Sequence, residues 1–399
     1  MRFLSHLKIA ALLFLALAAT AGGVYALDLE ITGEIKTGLF SEQRTAQGVT
    51  TTYARMYNSD GDSGPAEGRI RLGINATDEL FGIRSRFYQT DFMRKTGVEK
   101  QVGADYIYAY GHLFAEQFTV SAGLLGESPW GSGGPELFRE LEYTNGGDPI
   151  AGVRFEIKPA LVPGLNVGFV LNGPDDTVPQ DDETRKKITF GDLFLESILG
   201  IAWEHDYFAF RFGYRLDRGI ESSAAISNGE RLVYRVEERI LRTFLPGMAI
   251  WANGYGYGIN AAEGSGRSIP GYVQHWLYIA YEPENFSTGV NTGYYDGFKM
   301  DAQQLEIRPY FYYKFFDNFL SVGAMAGMNM GFNSGKTFDD MFYNFWFVEP
   351  QARVNINGNL YAAVVYRFTS GAYLTDQANY QNDKDQTTHW VNLRLAYSF

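Results

Sequence analysis

Runs of alternating apolar and polar residues recur from one end of the chain to the other. In residues 389–399, Val391, Leu393, Leu395, Tyr397 and Phe399 fall on one side, and Asn392, Arg394, Ala396 and Ser398 on the other. Successive side chains of an extended strand point to opposite faces, so this segment predicts a strand with one greasy and one polar side. Similar strand-like runs span 30–40, 67–76, 80–89, 104–113, 118–125, 150–157, 165–172, 194–203 and 208–216. They continue through 231–240, 248–259, 272–281, 286–295, 304–313, 320–329, 345–356 and 360–368.

The gaps between these runs alternate short and long. The short ones are turn-like, as in Thr77-Asp78-Glu79, Ala115-Glu116, Glu204-His205-Asp206 and Glu282-Pro283-Glu284. Asn357-Gly358-Asn359 adds an Asn-Gly step, which favours a tight hairpin turn. The rhythm predicts an all-β, antiparallel up-and-down barrel of about 18 strands, with about 16 as the alternative if one weak pair is loop. Both termini and every tight turn then share one end, while long gaps such as 41–66 and 369–388 lie at the other. No domain linker or internal repeat interrupts the pattern, so the strands form one domain.

Arginine decides which face looks inward. Ile70, Leu72 and Ile74 oppose Arg69 and Arg71; Phe208, Phe210, Phe212 and Tyr214 oppose Arg211 and Arg215. An arginine on the lipid face near the bilayer midplane costs ~2–4 kcal/mol, so the arginine-bearing faces must line the interior. That reasoning makes Arg69, Arg71, Arg84, Arg86, Arg211, Arg215, Arg235, Arg239, Arg308, Arg353, Arg367 and Arg394 pore-lining candidates. Arg231 shares the face of Arg235 and Arg239, diluted by Glu237. Arg69, Arg71, Arg84 and Arg86 are expected to form a ladder on one wall; the alternative is that they pair with loop carboxylates for stability alone. Glu306 and Glu349 have Arg308 and Arg353 close by in sequence. A barrel of about 16–18 strands is wide enough to hold water.

Composition fits this picture. The chain carries 30 Phe and 27 Tyr, enough for aromatic girdles at both interfaces of an apolar band. It has no Cys, which removes disulfides, thiolate metal sites and cysteine nucleophiles together. The net charge of −12 argues against a nucleic-acid partner, and with a basic wall the acidic excess falls to the loops. Past the N-terminus no apolar run approaches transmembrane-helix length, so a membrane crossing must be made by strands in a closed barrel. Arg2 and Lys8, the apolar stretch 9–21 and Val24-Tyr25-Ala26 read as a secretory signal peptide over 1–26, leaving 27–399 as the barrel.

The C-terminal run ending on Phe399 resembles the last strand of bacterial outer-membrane β-barrels of the porin type. There the alternating apolar positions and terminal Phe act as an assembly signal. The resemblance implies an outer-membrane location, contact with its lipids and insertion by the barrel assembly machinery through Val391, Leu393, Leu395, Tyr397 and Phe399. The porin analogy also suggests a homotrimer, with a monomer equally compatible. The third long gap, 126–149, starts Gly-rich and sets Pro135 at a helix-start position. In place and character it resembles the constriction loop of general porins, which folds into the lumen opposite an arginine cluster. That likeness implies a constriction segment with Glu136, Arg139, Glu140 and Glu142, its glutamates facing Arg69, Arg71, Arg84 and Arg86. Facing rows of opposite charge put a transverse field across the narrowest section. An ordinary solvated loop is the alternative.

Other chemistry is weak. His112, His205, His275 and His389 have no metal-ligand spacing, and no nucleophile–base constellation stands out. Asn58, Asp60 and Asp62 begin like a calcium loop, but Ser63 and Arg69 stand where Gly and Glu are needed. The Gly-Tyr alternation over 253–258 is expected in a strand where rings lie over glycines. The expectation is a non-enzymatic channel for passive diffusion of small hydrophilic solutes or ions, needing no cofactor or metal. Two rivals stay open: a substrate-specific transporter with an aromatic track, and an adhesin or structural barrel with an occluded lumen.

Overall fold

The computed structural model describes residues 28–46, 48–56, 69–89, 103–125, 130, 150–172, 197–215, 231–257, 272–297, 302–333, 345–371 and 386–399. The strands are β1 (Asp28–Ala46), β2 (Val49–Met56), β3 (Arg69–Thr77), β4 (Phe81–Gln89), β5 (Gly103–Leu113), β6 (Phe118–Leu125) and β7 (Ile150–Ile157). Next come β8 (Leu165–Asn172), β9 (Ile198–Glu204), β10 (Phe208–Arg215), β11 (Arg231–Glu238), β12 (Met248–Tyr257) and β13 (Tyr272–Tyr281). The last are β14 (Phe286–Gly297), β15 (Ala302–Phe315), β16 (Leu320–Asn333), β17 (Phe345–Asn357), β18 (Leu360–Gly371) and β19 (Thr387–Ser398).

The ladders are antiparallel, and β19 returns to β1, from Glu34 opposite Ser398 to Thr45 opposite Thr387. The sheet therefore closes on itself. On its other side β1 has two successive partners: Asp28 to Lys36 pair with β3, and Leu39 to Ala46 pair with β2. Strands β2 and β3 lie end to end in one place of the wall, so the chain forms a closed antiparallel barrel of 18 strand positions. This corrects the reading of 41–66 as one long gap. Residues 41–46 extend β1, and a tight connection at Gly48, with φ of 74°, turns the chain into β2. That hairpin stands at the end opposite the termini, so one tight turn breaks the expected rule. The signal was hidden because Ser41, Gln43, Thr45 and Thr50–Thr52 are polar on both faces.

Closure matters because hydrocarbon offers no water to unpaired amides and carbonyls; a barrel without edges pairs them all between strands. The two faces divide as the arginine argument requires. On β19, Val391, Leu393, Leu395 and Tyr397 are exposed, whereas Trp390, Asn392 and Ala396 are buried. Greasy side chains outside and polar ones inside is the reverse of a soluble sandwich. Outward rings gather in two belts. Near the short-turn end are Trp203 against Phe208, Phe286 between Tyr281 and Phe311, and Tyr397 against Phe399. Near the other end, Tyr234 donates to or accepts from His275 Nδ1 at 2.7 Å, Tyr366 meets His389 Nδ1 at 2.7 Å, and Phe368 packs between His389 and Trp346. Such belts suit the two interfaces of a bilayer.

One connection departs from expectation. The strand predicted to reach Ile240 ends at Glu238, and a single helical turn, α1 (Ile240–Phe244), precedes β12. The Glu238 carboxylate accepts the Leu241 amide at 2.8 Å, satisfying one of the unpaired donors at the helix start.

Candidate functional site: the inner wall

The alternation places Arg71, Arg84, Arg86, Arg211, Arg235, Arg308, Arg353, Arg367 and Arg394 on the inner face, and Arg239 follows β11 toward the short-turn mouth. Arg69 and Arg215 occupy inward positions of β3 and β10 by alternation; their side chains lie outside the described residues, as do Glu136, Arg139, Glu140, Glu142, Asn58, Asp60 and Asp62.

On the wall from β3 to β7 the arginines are backed by rings. Arg86 sits 4.9 Å over Tyr106, Arg154 5.3 Å over Tyr108 and Arg84 5.7 Å over Tyr110. These tyrosines and His112 form a column on β5, with successive ring centroids 5.8, 6.5 and 5.0 Å apart. A guanidinium over an aromatic face is attracted by the ring quadrupole and keeps its in-plane donors. Arg71 stands 4.0 Å from Glu34 of β1, a wall carboxylate. Arg154, paired with Glu156 at 2.7 Å, is a further inward arginine that the sequence reading did not single out.

Trp130, within the third long gap, is fully buried and packs with Tyr106, Tyr108, Leu125, Val170, Ile198 and Ala202. Its indole lies over Gly168 of β8 and Gly200 of β9; a Cβ at either position would run into it. Both glycines face inward, so this residue of the gap is seated inside the barrel.

From β15 to β1 the wall alternates cation and ring. Arg308 pairs with Glu306 and lies 5.8 Å over Phe347; Arg367 lies 4.3 Å from Phe347 and 4.8 Å from Trp390, which packs on Phe40. Glu349 takes Arg367 at 2.6 Å. The expected neighbour, Arg353, instead donates to Asn355 Oδ1 at 2.7 Å and covers Tyr361 at 3.8 Å. Four residues along a strand is about 13 Å, whereas Arg367 stands directly across the β17–β18 ladder. At Glu349 the cross-strand arginine takes the carboxylate, whereas Glu306 is held by Arg308 two residues along its own strand. Between these walls run the inward rings Trp251, Tyr278, Tyr310 and Tyr312, with the hydroxyls of Tyr278 and Tyr310 2.8 Å apart.

Arg211 and Arg235 are directly opposite each other in the β10–β11 register. The histidines are not brought together: His275 and His389 face outward, His112 meets Thr119 at 2.9 Å, and His205 lies in a turn. The Gly-Tyr run falls in β12 as expected, and the Tyr234 ring covers Gly254.

A greasy exterior, two aromatic belts and a closed, polar-lined interior are the architecture of a membrane-spanning β-barrel. The outer membrane channel DcaP of Acinetobacter baumannii matches over 94% of this chain and 99% of its own, with TM-score 0.50 and 12% identity. OpdQ of Pseudomonas aeruginosa matches at TM-score 0.49 and 11% identity over 93% and 98% of the two chains. Salmonella typhi OmpF, in complex with daunomycin, matches at 0.49 and 12% over 93% and 97%. At these identities the likeness is one of fold. Neither a family model nor a curated protein matches the sequence.

Proposed function

We propose that this barrel is a porin-like channel of the bacterial outer membrane, admitting small hydrophilic solutes or ions by passive diffusion. The observation that carries the reading is the inner face of the closed wall, where arginines from β3, β4, β7, β10, β11, β15, β17, β18 and β19 all look inward. Charged side chains collected inside a wide barrel serve a water-filled path better than a packed core. In this reading the short-turn end is periplasmic, the long connections are extracellular, and the Val391–Phe399 face is the assembly signal. The region 126–149 is a lumen segment moored by Trp130, with Glu136, Arg139, Glu140 and Glu142 at the constriction. Stepwise conductance of the refolded protein in planar bilayers tests the proposal; its absence across preparations verified as folded would overturn it.

A solute-selective channel is the second reading, favoured by the arc from Trp251 to Tyr312 on the inner face. Saturable flux of one solute class, against linear flux of others, separates the two.

A further inference from the structure

The arginines of β10 and β11 are arranged in a way that stability alone does not favour. Arg211 stands directly opposite Arg235 in the ladder, and the backbone register pairs positions 215 and 231, both arginine, further along the same hairpin. Like charges directly opposite on one face of an antiparallel pair are destabilising. Toward the short-turn mouth Arg239 and Arg242 join them from the connection that carries α1. Among the described residues two carboxylates meet these four groups. Glu204 takes Arg211 at 2.7 Å and stands 3.8 Å from Arg239. Glu237 takes Arg235 at 3.4 Å, Arg239 at 3.2 Å and Arg242 at 3.1 Å. Glu238 is engaged at the start of α1 instead, and Asp206 makes no ion pair among the described residues.

Among the described residues, four guanidinium groups share two carboxylates within ion-pair reach, an excess of two positive charges. The cluster is wet where it opens: the side chains of Arg211 and Arg242 are 32% and 49% exposed. At its root, Arg235 lies 4.9 Å over the Trp251 ring and Arg239 donates to the His205 carbonyl at 3.3 Å. Arg211 reaches Glu204 through Nη2 alone, which leaves most of its donor fork turned to the lumen.

We propose that Arg211, Arg235, Arg239 and Arg242 form a binding site for a small multivalent oxyanion at the short-turn mouth of the lumen, with Glu204 and Glu237 holding the guanidinium forks apart. A dianion matches the excess charge, and planar forks read paired oxygens bidentately, which selects phosphate-type ligands over chloride. The proposal deepens the channel reading by giving the path an affinity step for anions on the periplasmic side. It rests on that reading for its meaning but not for its measurement.

The test is calorimetric titration of the refolded full barrel in detergent with inorganic phosphate, at constant ionic strength against chloride. Saturable binding is expected, weakened about tenfold in the R211Q/R242Q double variant and partly kept in R211K/R242K, which retains charge but loses the fork. Lys158→Gln, which removes a cation from the β7–β8 turn at the same mouth, should bind as the wild type does. Heat-modifiable migration on gels verifies that each variant is folded, and Glu204→Gln offers a milder variant should the double one misfold; by removing the carboxylate that shares Arg211 and Arg239 it should tighten phosphate binding, and unchanged affinity would count against the site. No saturable binding, or equal weakening by Lys158→Gln, would overturn the site. A barrel that binds phosphate but never conducts would sink the channel reading and leave the site standing.

Discussion

Gly33 and Phe399 exchange both backbone hydrogen bonds, Gly33 N–H to the Phe399 carbonyl at 2.8 Å and Phe399 N–H to the Gly33 carbonyl at 3.0 Å. The phenylalanine ring lies across Gly33, in the space where a Cβ would stand. The terminal residue is thus part of the seam that closes the barrel, and its aromatic neighbour Tyr397 stacks beside it at 5.8 Å.

The seam makes a pair of predictions. Gly33→Val and deletion of Phe399 should both lower the fraction of chains that fold into lipid vesicles, read by heat-modifiable migration. Barrels that do form should keep the wild-type unitary conductance, because the ring lies outside the lumen. A conductance change would show that the seam shapes the pore.

Trp130 should be the strongest single anchor of the third gap. Replacing a buried tryptophan with alanine costs ~3–5 kcal/mol when the site cannot collapse. Trp130→Ala should therefore lower the urea midpoint of the folded barrel and raise its conductance. Gly200→Leu should act in the same direction by evicting the indole. Equal conductance in all three proteins would show that the anchor does not set the lumen cross-section.

The Arg367–Glu349 pair offers a double-mutant cycle. Both side chains are largely buried, at 14% and 7% exposure, so removing one partner strands the other at a cost of ~3–5 kcal/mol. Glu349→Gln or Arg367→Met alone should destabilise strongly, and the double variant should recover much of the loss. Additive losses in denaturant titration would rule out the coupling.

Selectivity should follow the arginines of β3 and β4. Changing Arg69, Arg71, Arg84 and Arg86 to Ala should move the reversal potential in a salt gradient toward cation preference. An unchanged potential would remove this wall from the mechanism.

Two turns carry backbone strain. Phe114-Ala115-Glu116 and Phe316-Asp317-Asn318 all have positive φ, at 53°, 52° and 66° in each turn. Residues with a Cβ adopt that region at a cost, so Ala115→Gly or Asp317→Gly should stabilise the barrel by about 0.5–1 kcal/mol, less the added chain entropy. Unfolding midpoints in lipid vesicles check the sign.

The face of the arginine-bearing strands was legible because two rules agree there: side chains alternate, and arginine avoids lipid; strands without arginine, such as 272–281, left their rings unassigned. Ile70 and Arg71, or Leu393 and Arg394, could be sorted by parity alone. What parity does not encode is who stands across the ladder. Arg367 rather than Arg353 holds Glu349 because register depends on turn geometry and bulges along the way, such as the one between Asn355 and Asn357. The seat of Trp130 was equally hidden, since two glycines in separate strands carry no periodic signal. The β1–β2 hairpin escaped because its threonines give neither face a greasy side. Arg242 was missed because it lies past the strand expected to end at Ile240, in a helical turn of the connection, where strand alternation assigns no face.

The end-to-end arrangement of β2 and β3 has a practical consequence. Met56 is opposite Leu39 and Arg69 is opposite Lys36, so the wall resumes almost where it stopped. Whatever length of chain spans that interval, the pairing on either side keeps its register, and with it the circumference of the barrel. The interval is a natural port for grafting: a peptide tag or reporter placed between Met56 and Arg69 can grow or shrink while the cylinder around it stays the same size.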